Sequence, residues 1–301
     1  VVDIAMPDPT VIKAADGYFY VYATESTRNV PIMKSKDLVE WTYCNTAFTN
    51  KTRPRFEPKA GIWAPDINYI NGKYVLYYAM SVWGGEQTCG IGVATADSPQ
   101  GPFTDHGKMF RSNEIGVQNS IDPSLLQYEG RNYLVWGSFR GIYVIELTAD
   151  GLSIMSGAKK KRIAGTAFEA VYIHKHGDYY YMFASIGSCC QGVKSTYKVV
   201  VGRSKKVWGP YKDKTGKPML KNGYSLVIGA NDHFVGNGHG SQIIQDDAGQ
   251  DWLLYHGFSR STPEHGRILL LDQIKWDQEG WPYVEGGSPS YETQKAPVFN
   301  N

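Results

Sequence analysis

Five stretches of this chain repeat one short theme: Asp8-Pro9-Thr10-Val11-Ile12, Ala64-Pro65-Asp66-Ile67-Asn68, Asp122-Pro123-Ser124-Leu125-Leu126, Glu169-Ala170-Val171-Tyr172-Ile173 and His239-Gly240-Ser241-Gln242-Ile243. Each is followed, after a polar turn, by an aromatic or branched run: Tyr18 to Ala23, Tyr74 to Met80, Tyr133 to Phe139, Tyr179 to Ser185 and Trp252 to Phe258. Between the two runs sit Asp16-Gly17, Asn71-Gly72, Glu129-Gly130, His176-Gly177-Asp178 and Asp246-Asp247-Ala248-Gly249. Asp-Gly and Asn-Gly are hairpin turns, because glycine and asparagine accept the positive φ that such turns demand. A unit that recurs this way must fold the same way each time and stack on its neighbours.

The spacing narrows the architecture. Successive motifs lie roughly 47 to 70 residues apart, which suits a four-stranded propeller blade with loops of variable length. Five units use up the chain, and no Pro-, Ser- or charge-rich linker divides it. The expectation is an all-β, five-bladed β-propeller forming one domain over residues 1–301, with no amphipathic helix. Runs such as Lys73-Tyr74-Val75-Leu76-Tyr77-Tyr78 carry bulky residues on both faces, as sheets sandwiched between sheets require. An aromatic content of 13% and 33 glycines fit blades that pack rings and turn sharply.

A formal net charge of +2 gives no global reason to expect a nucleic-acid or membrane partner. The basic run Lys159-Lys160-Lys161-Arg162 reads as a solvated loop, and no apolar run is long enough to span a bilayer. Val1-Val2-Asp3 opens without methionine, as expected where a leader has been removed or left out, so the lack of a signal peptide is uninformative. The 4 cysteines read as buried free thiols, since a chain of this size needs no staples and their spacing matches no zinc site.

If the five motifs are equivalent around an axis, Asp8, Asp122, Glu169 and His239 converge on one point. Cleaving a glycosidic bond needs two carboxyl groups, one protonated to assist the leaving oxygen and one ionised to act from the other side. A third carboxylate nearby raises the pKa of the acid by like-charge repulsion. Asp66 stands two places off the column and reads as structural. His239 fits either an imidazole polarising an acid or a metal ligand, whereas His174 and His176 beside a turn read as solvent-facing. Trp63 and Trp83 fit either blade packing or stacking against the apolar face of a sugar.

These residues resemble glycoside hydrolase family 43, and within it the endo-1,5-α-L-arabinanases. Matching segments include Trp63-Ala64-Pro65-Asp66-Ile67, Asn119-Ser120-Ile121-Asp122-Pro123 with Gly137-Ser138-Phe139, Glu169-Ala170 and Gly238-His239. The block Ser188-Cys189-Cys190, Ser195-Thr196-Tyr197, Val201-Gly202-Arg203-Ser204 and Gly209-Pro210-Tyr211 carries it further. The resemblance implies an inverting hydrolase in which Asp8 is the general base, Glu169 the general acid and Asp122 the group that tunes Glu169. It implies that His239 helps to hold a calcium ion completed by waters, and that Asn119, Ser138 and Trp63 contact substrate. It also implies a pentose-containing plant polysaccharide as substrate and a secreted, periplasmic or surface location, with a cytoplasmic enzyme as the other possibility. Pro7, Val171 and Gly240 depart from the residues common in arabinanases at those positions. The departures leave open exo-acting arabinofuranosidase and xylosidase or xylanase activity. Outside this family, a glycan-binding propeller without catalysis and the retaining fructoside hydrolases are the competing readings.

Overall fold

Residues 4–300 are described by the computed structural model; Val1, Val2, Asp3 and Asn301, and with them the reading of the chain's opening residues, lie outside the described residues. Every repeat becomes one antiparallel meander. Blade I comprises Thr10–Lys13, Phe19–Tyr22, Pro31–Ser35 and Thr42–Thr46, and blade II comprises Gly61–Ile70, Lys73–Ser81, Gly90–Ala96 and Thr104–Arg111. Blade III follows with Ser124–Tyr128, Arg131–Trp136, Ile142–Glu146 and Lys161–Ala164; blade IV with Glu169–His176, Tyr179–Ile186, Lys198–Ser204 and Ser225–Ile228. In blade V, Phe234–Gly238 and Ile244–Gln245 both pair with Asp251–Ser259, which is followed by Arg267–Trp276 and Pro282–Tyr283. The five sheets form a five-bladed β-propeller. The expected hairpins are present: Asn71 and Gly72 both have positive φ, as do Glu129 and Gly130, the backbone that matches the twist of the flanking strands. Among the described residues one short α-helix, Ser112–Ile115, and four 3-10 turns are added to the all-β plan.

Strand periodicity explains why both faces are bulky. Tyr20 and Tyr22 pack against blade II while Phe19 and Val21 pack against blade V. Likewise Tyr181 and Phe183 face blade V, and Met182 and Ala184 face blade III. The five largest hydrophobic clusters among the described residues fill the seams between blades, one in each. Each large side chain so buried contributes about 1.5–3 kcal/mol relative to exposure.

Hydrogen bonds between inner strands pass from blade to blade round the axis. Ile67 N donates to Thr10 Oγ1 (3.1 Å), Leu125 N to Asp66 Oδ2 (2.8 Å), and Ser124 Oγ to the Val171 carbonyl (2.6 Å). Gln242 joins blade V to blades I and II, its Oε1 accepting from Val11 N and Thr10 Oγ1, and its Nε2 donating to Asp66 Oδ1. Asp66 is therefore structural, as expected. Blades V and I share no strand; Met6 N donates to the Arg267 carbonyl (3.0 Å), and Phe299 from the C-terminal tail packs on Phe19 with centroids 4.6 Å apart.

Three expectations are corrected. Cys189 and Cys190 form a disulfide between chain neighbours, leaving Cys44 and Cys89 as the free thiols. Such a bond closes no long loop, so the argument that a large chain needs no staple never bore on it. His174 and His176 are half-buried, not solvent-facing, because their strand lies against Trp276 of blade V. The third correction concerns register. Positive φ recurs at Asp8 (54°), Ala64 (42°), Asp122 (56°), Ala170 (53°) and His239 (53°), so the equivalent of Asp8 in blade IV is Ala170. Glu169 stands one residue upstream of the column, at the place of Trp63 in blade II. The basic run is exposed, as read from the sequence, but Lys161 and Arg162 lie on a strand of blade III and not in a loop; no described helix is long and apolar enough to cross a membrane.

Candidate active site

The left-handed turn that opens each inner strand is an unfavourable conformation for a residue with a side chain, and side chains of neighbouring strands support it here. Asp8 N donates to His256 Nδ1 (3.0 Å), Ala64 N to Thr24 Oγ1 (2.7 Å), Ala170 N to Asp122 Oδ2 (3.2 Å), and His239 N to Ser185 Oγ (2.8 Å). These turns hold Asp8, Asp122 and His239 at the same level of the axis, with Glu169 entering from the adjacent position.

Asp8 is the most heavily bonded acid. Oδ1 accepts from Arg267 (2.8 Å) and lies 3.2 Å from His239 Nδ1, while Oδ2 accepts from Thr24 Oγ1 (2.6 Å). Burial works to raise its pKa, but the Arg267 guanidinium and His239 outweigh it and hold Asp8 well below the usual carboxylate range. Asp8 therefore stays ionised.

Asp122 and Glu169 behave in the opposite way. Burial, then the charge of Glu169, pushes Asp122 up. Burial also raises Glu169, against hydrogen bonds from Ser138 and Tyr197 and the attraction of His239. Two buried carboxyl groups that repel one another titrate as a pair, and this pair keeps a proton at neutral pH. His239 is raised by Asp8, against the effect of burial. His256 is fully buried and kept neutral by burial and by Arg267. Its Nδ1 accepts from Asp8 N, which leaves the proton on Nε2. One site thus contains an ionised carboxylate and a protonated carboxyl pair, the two states that acid–base cleavage requires.

Ser138 and Asn119 are both tied into the hydrogen bonding around Glu169. Ser138 is 1% exposed and its hydroxyl donates to Glu169 Oε2 (2.6 Å), so it is out of a substrate's reach. Asn119 Nδ2 donates to Ser138 Oγ (2.9 Å) and to its carbonyl (3.1 Å). The two form a chain that orients Glu169. Trp63 and Trp83 do come together, with centroids 5.5 Å apart. Trp63 packs inward on Ala79, Cys89 and Ile121, while Trp83 is 79% exposed, well above any other large hydrophobic side chain described. Gly61 makes room for this, since a Cβ there would lie 2.4 Å from Trp63 Nε1. The loop carrying Trp83 is pinned to blade III by Asn119 N, which donates to the Glu86 carbonyl (2.7 Å), and by the Arg140–Glu86 ion pair (2.8 Å).

Below the acids the axis holds a cavity of about 20 Å³ lined by His239, Asp122, Thr10, Ser124 and Gln242 among others, room for one water-sized species. Calcium takes six to eight oxygen ligands. An ion held there by His239 would need water ligands beyond the single one that this cavity admits.

Thr24, Ser185, Tyr197, His256 and Arg267 were not picked out from the sequence as site residues. His256 left the clearest signal, a lone imidazole inside the apolar run Trp252 to Phe258. Arg267 opens the next strand and carries no mark of its role.

A funnel of five sheets with an ionised carboxylate facing a protonated pair, and an exposed tryptophan at its rim, defines a glycoside hydrolase. The chain belongs to the glycosyl hydrolases family 43, whose family model matches residues 1–282. It is 36% identical to an extracellular exo-α-(1→5)-L-arabinofuranosidase of Cellvibrio japonicus, with 92% of this chain and 86% of that one covered. It is also 36% identical to an extracellular endo-α-(1→5)-L-arabinanase of Bacillus subtilis, covering 91% and 86%. Among solved structures, the Cellvibrio cellulosa α-L-arabinanase complexed with arabinohexaose superposes with a TM-score of 0.85 at 33% identity, over 94% of this chain and 96% of that one.

Proposed function

We propose that this chain hydrolyses α-1,5-linked arabinan at internal bonds, inverting the anomeric centre, and that it works outside the cell. The observation that carries the catalytic part is the split in protonation between Asp8 and the Asp122–Glu169 pair. Asp8, ionised and held by Arg267, Thr24 and His239, is the base that takes a proton from water. Glu169, oriented by Ser138, delivers to the leaving oxygen the proton that the Asp122–Glu169 pair holds. In inversion the water sits between base and sugar, which calls for carboxyl groups about 6.5–9.5 Å apart. Trp83 and Trp63 offer a face for the pentose ring. The arabinan-directed names and extracellular location of the relatives support the substrate and the place of action.

Exo-action is the second reading, favoured by the Cellvibrio japonicus relative. Product lengths from linear arabinan separate the two: a ladder of oligomers supports internal cleavage, and one short product throughout supports exo-action. Glu169→Gln should lower kcat on arabinan by about 10²–10⁴-fold with oligosaccharide binding retained; near-normal turnover would remove Glu169 from its role. Calcium is a separable part of the proposal: when bound at His239 it would supply positive charge beside the acids. Unchanged activity and melting temperature after exhaustive chelation would count against it.

A further inference from the structure

Far from the acids, at the opposite end of the blade IV inner strand, His174 and His176 occupy alternate positions and so point the same way. At a rise of about 3.4 Å per residue they lie roughly 15 Å or more from Glu169 along the strand. Across the seam, Asp251 opens the second strand of blade V, and its carboxylate is buried. One ligand atom from each of the three lies within 4.8 Å of the others, the only such trio of His, Cys, Asp or Glu among the described residues.

The spacing of the three side chains admits a metal ion between them. His176 Nδ1 stands 3.7 Å from Asp251 Oδ2, too far for a hydrogen bond. Two ligands of one tetrahedral zinc ion, with bonds of about 2.0–2.1 Å, are separated by roughly 3.4 Å. The carboxylate is oriented from behind: Trp276 Nε1 donates to Oδ2 (2.7 Å) and Gln245 Nε2 to Oδ1 (3.1 Å). Such outer bonds characteristically fix metal-ligating groups. The Trp276 ring lies flat on His176, with centroids 3.7 Å apart and planes 9° apart. It covers the face of the imidazole and leaves the in-plane nitrogen lone pair free, which is the direction of a coordinate bond.

We propose that His174, His176 and Asp251 bind a divalent zinc-class ion, with water in the fourth position, and that the ion clamps blade IV to blade V. Two imidazoles and one carboxylate suit zinc over calcium or magnesium, which prefer all-oxygen sets. The clamp acts on stability and leaves the acids at the other end of the funnel untouched.

Chelator-stripped full-length chain titrated with Zn²⁺ should show one saturable site by calorimetry and a melting temperature a few degrees higher when zinc is in excess. Both effects should vanish in His174→Ala and in His176→Phe, the latter keeping a ring against Trp276. Co²⁺ should give the visible absorption of a four-coordinate site in the unaltered chain, a readout that needs no variant to fold. Absence of a saturable site, absence of the Co²⁺ bands, or zinc binding undiminished in His176→Phe would each overturn the proposal. Zinc binding lost in His239→Ala but kept in His176→Phe would place the ion at the axis and overturn it as well.

Discussion

Asp8 and Glu169 are both buried carboxylic acids, yet their neighbours drive them to opposite protonation states. The difference lies in Arg267, which touches Asp8 and not Glu169. Because Asp8 is depressed and the Asp122–Glu169 pair is raised, activity should persist to acid pH and fall in alkali as the pair loses its proton. Replacing Arg267 with Met removes the largest attraction that opposes burial. In kcat/KM profiles the acid limb should move to higher pH, with the alkaline limb unmoved; a displaced alkaline limb would mean that Arg267 governs the pair instead. The acids and His239 were legible in the sequence because each stands at the head of a repeated motif. Arg267 was not, because it comes from a different repeat and meets Asp8 only through closure of the ring.

At the scale of the element, the repeat was legible but its phase in blade IV was not. Glu169 mimics the leading Asp of other motifs in letter, whereas the left-handed turn falls on Ala170. Letters report side-chain chemistry, and only coordinates report which residue takes the positive φ. Asp66 belongs to this scale too, since it ties three inner strands together. Its two oxygens accept from Leu125 N, Asn68 Nδ2 and Gln242 Nε2. Burial outweighs these bonds and pushes its pKa up to about 7. A raised carboxyl contributes stability that is complete below the unfolded value of about 3.9 and is lost as pH rises towards the folded one. Asp66→Asn turns one acceptor into an N–H facing a donor, at a cost of about 1–3 kcal/mol. Thermal melts should show a lower melting temperature at acid pH and a flatter dependence between about pH 4 and 7; an unchanged pH dependence would assign the proton elsewhere.

Over the whole molecule, the seam between blades V and I differs from the rest because chain connectivity does not cross it directly. The tail takes part in holding it: Val298 N donates to Asp246 Oδ2 (3.1 Å), and Asp247 N to the Val298 carbonyl (2.9 Å). Asp246 also accepts from Trp252 Nε1 (3.0 Å) and from Gln250 N (2.8 Å). Asp246→Ala should therefore cost about 1–3 kcal/mol and expose the last residues to limited proteolysis. A tail as protease-resistant as before would show that Phe299 on Phe19 suffices.

Since every blade is a complete meander and yet has no core of its own, its two apolar faces are satisfied only by the sheets on either side. A single repeat excised from the chain would keep all its ladder hydrogen bonds and present two greasy sides to water. Cooperative melting of the entire ring, with no blade surviving another, is what such mutual dependence entails.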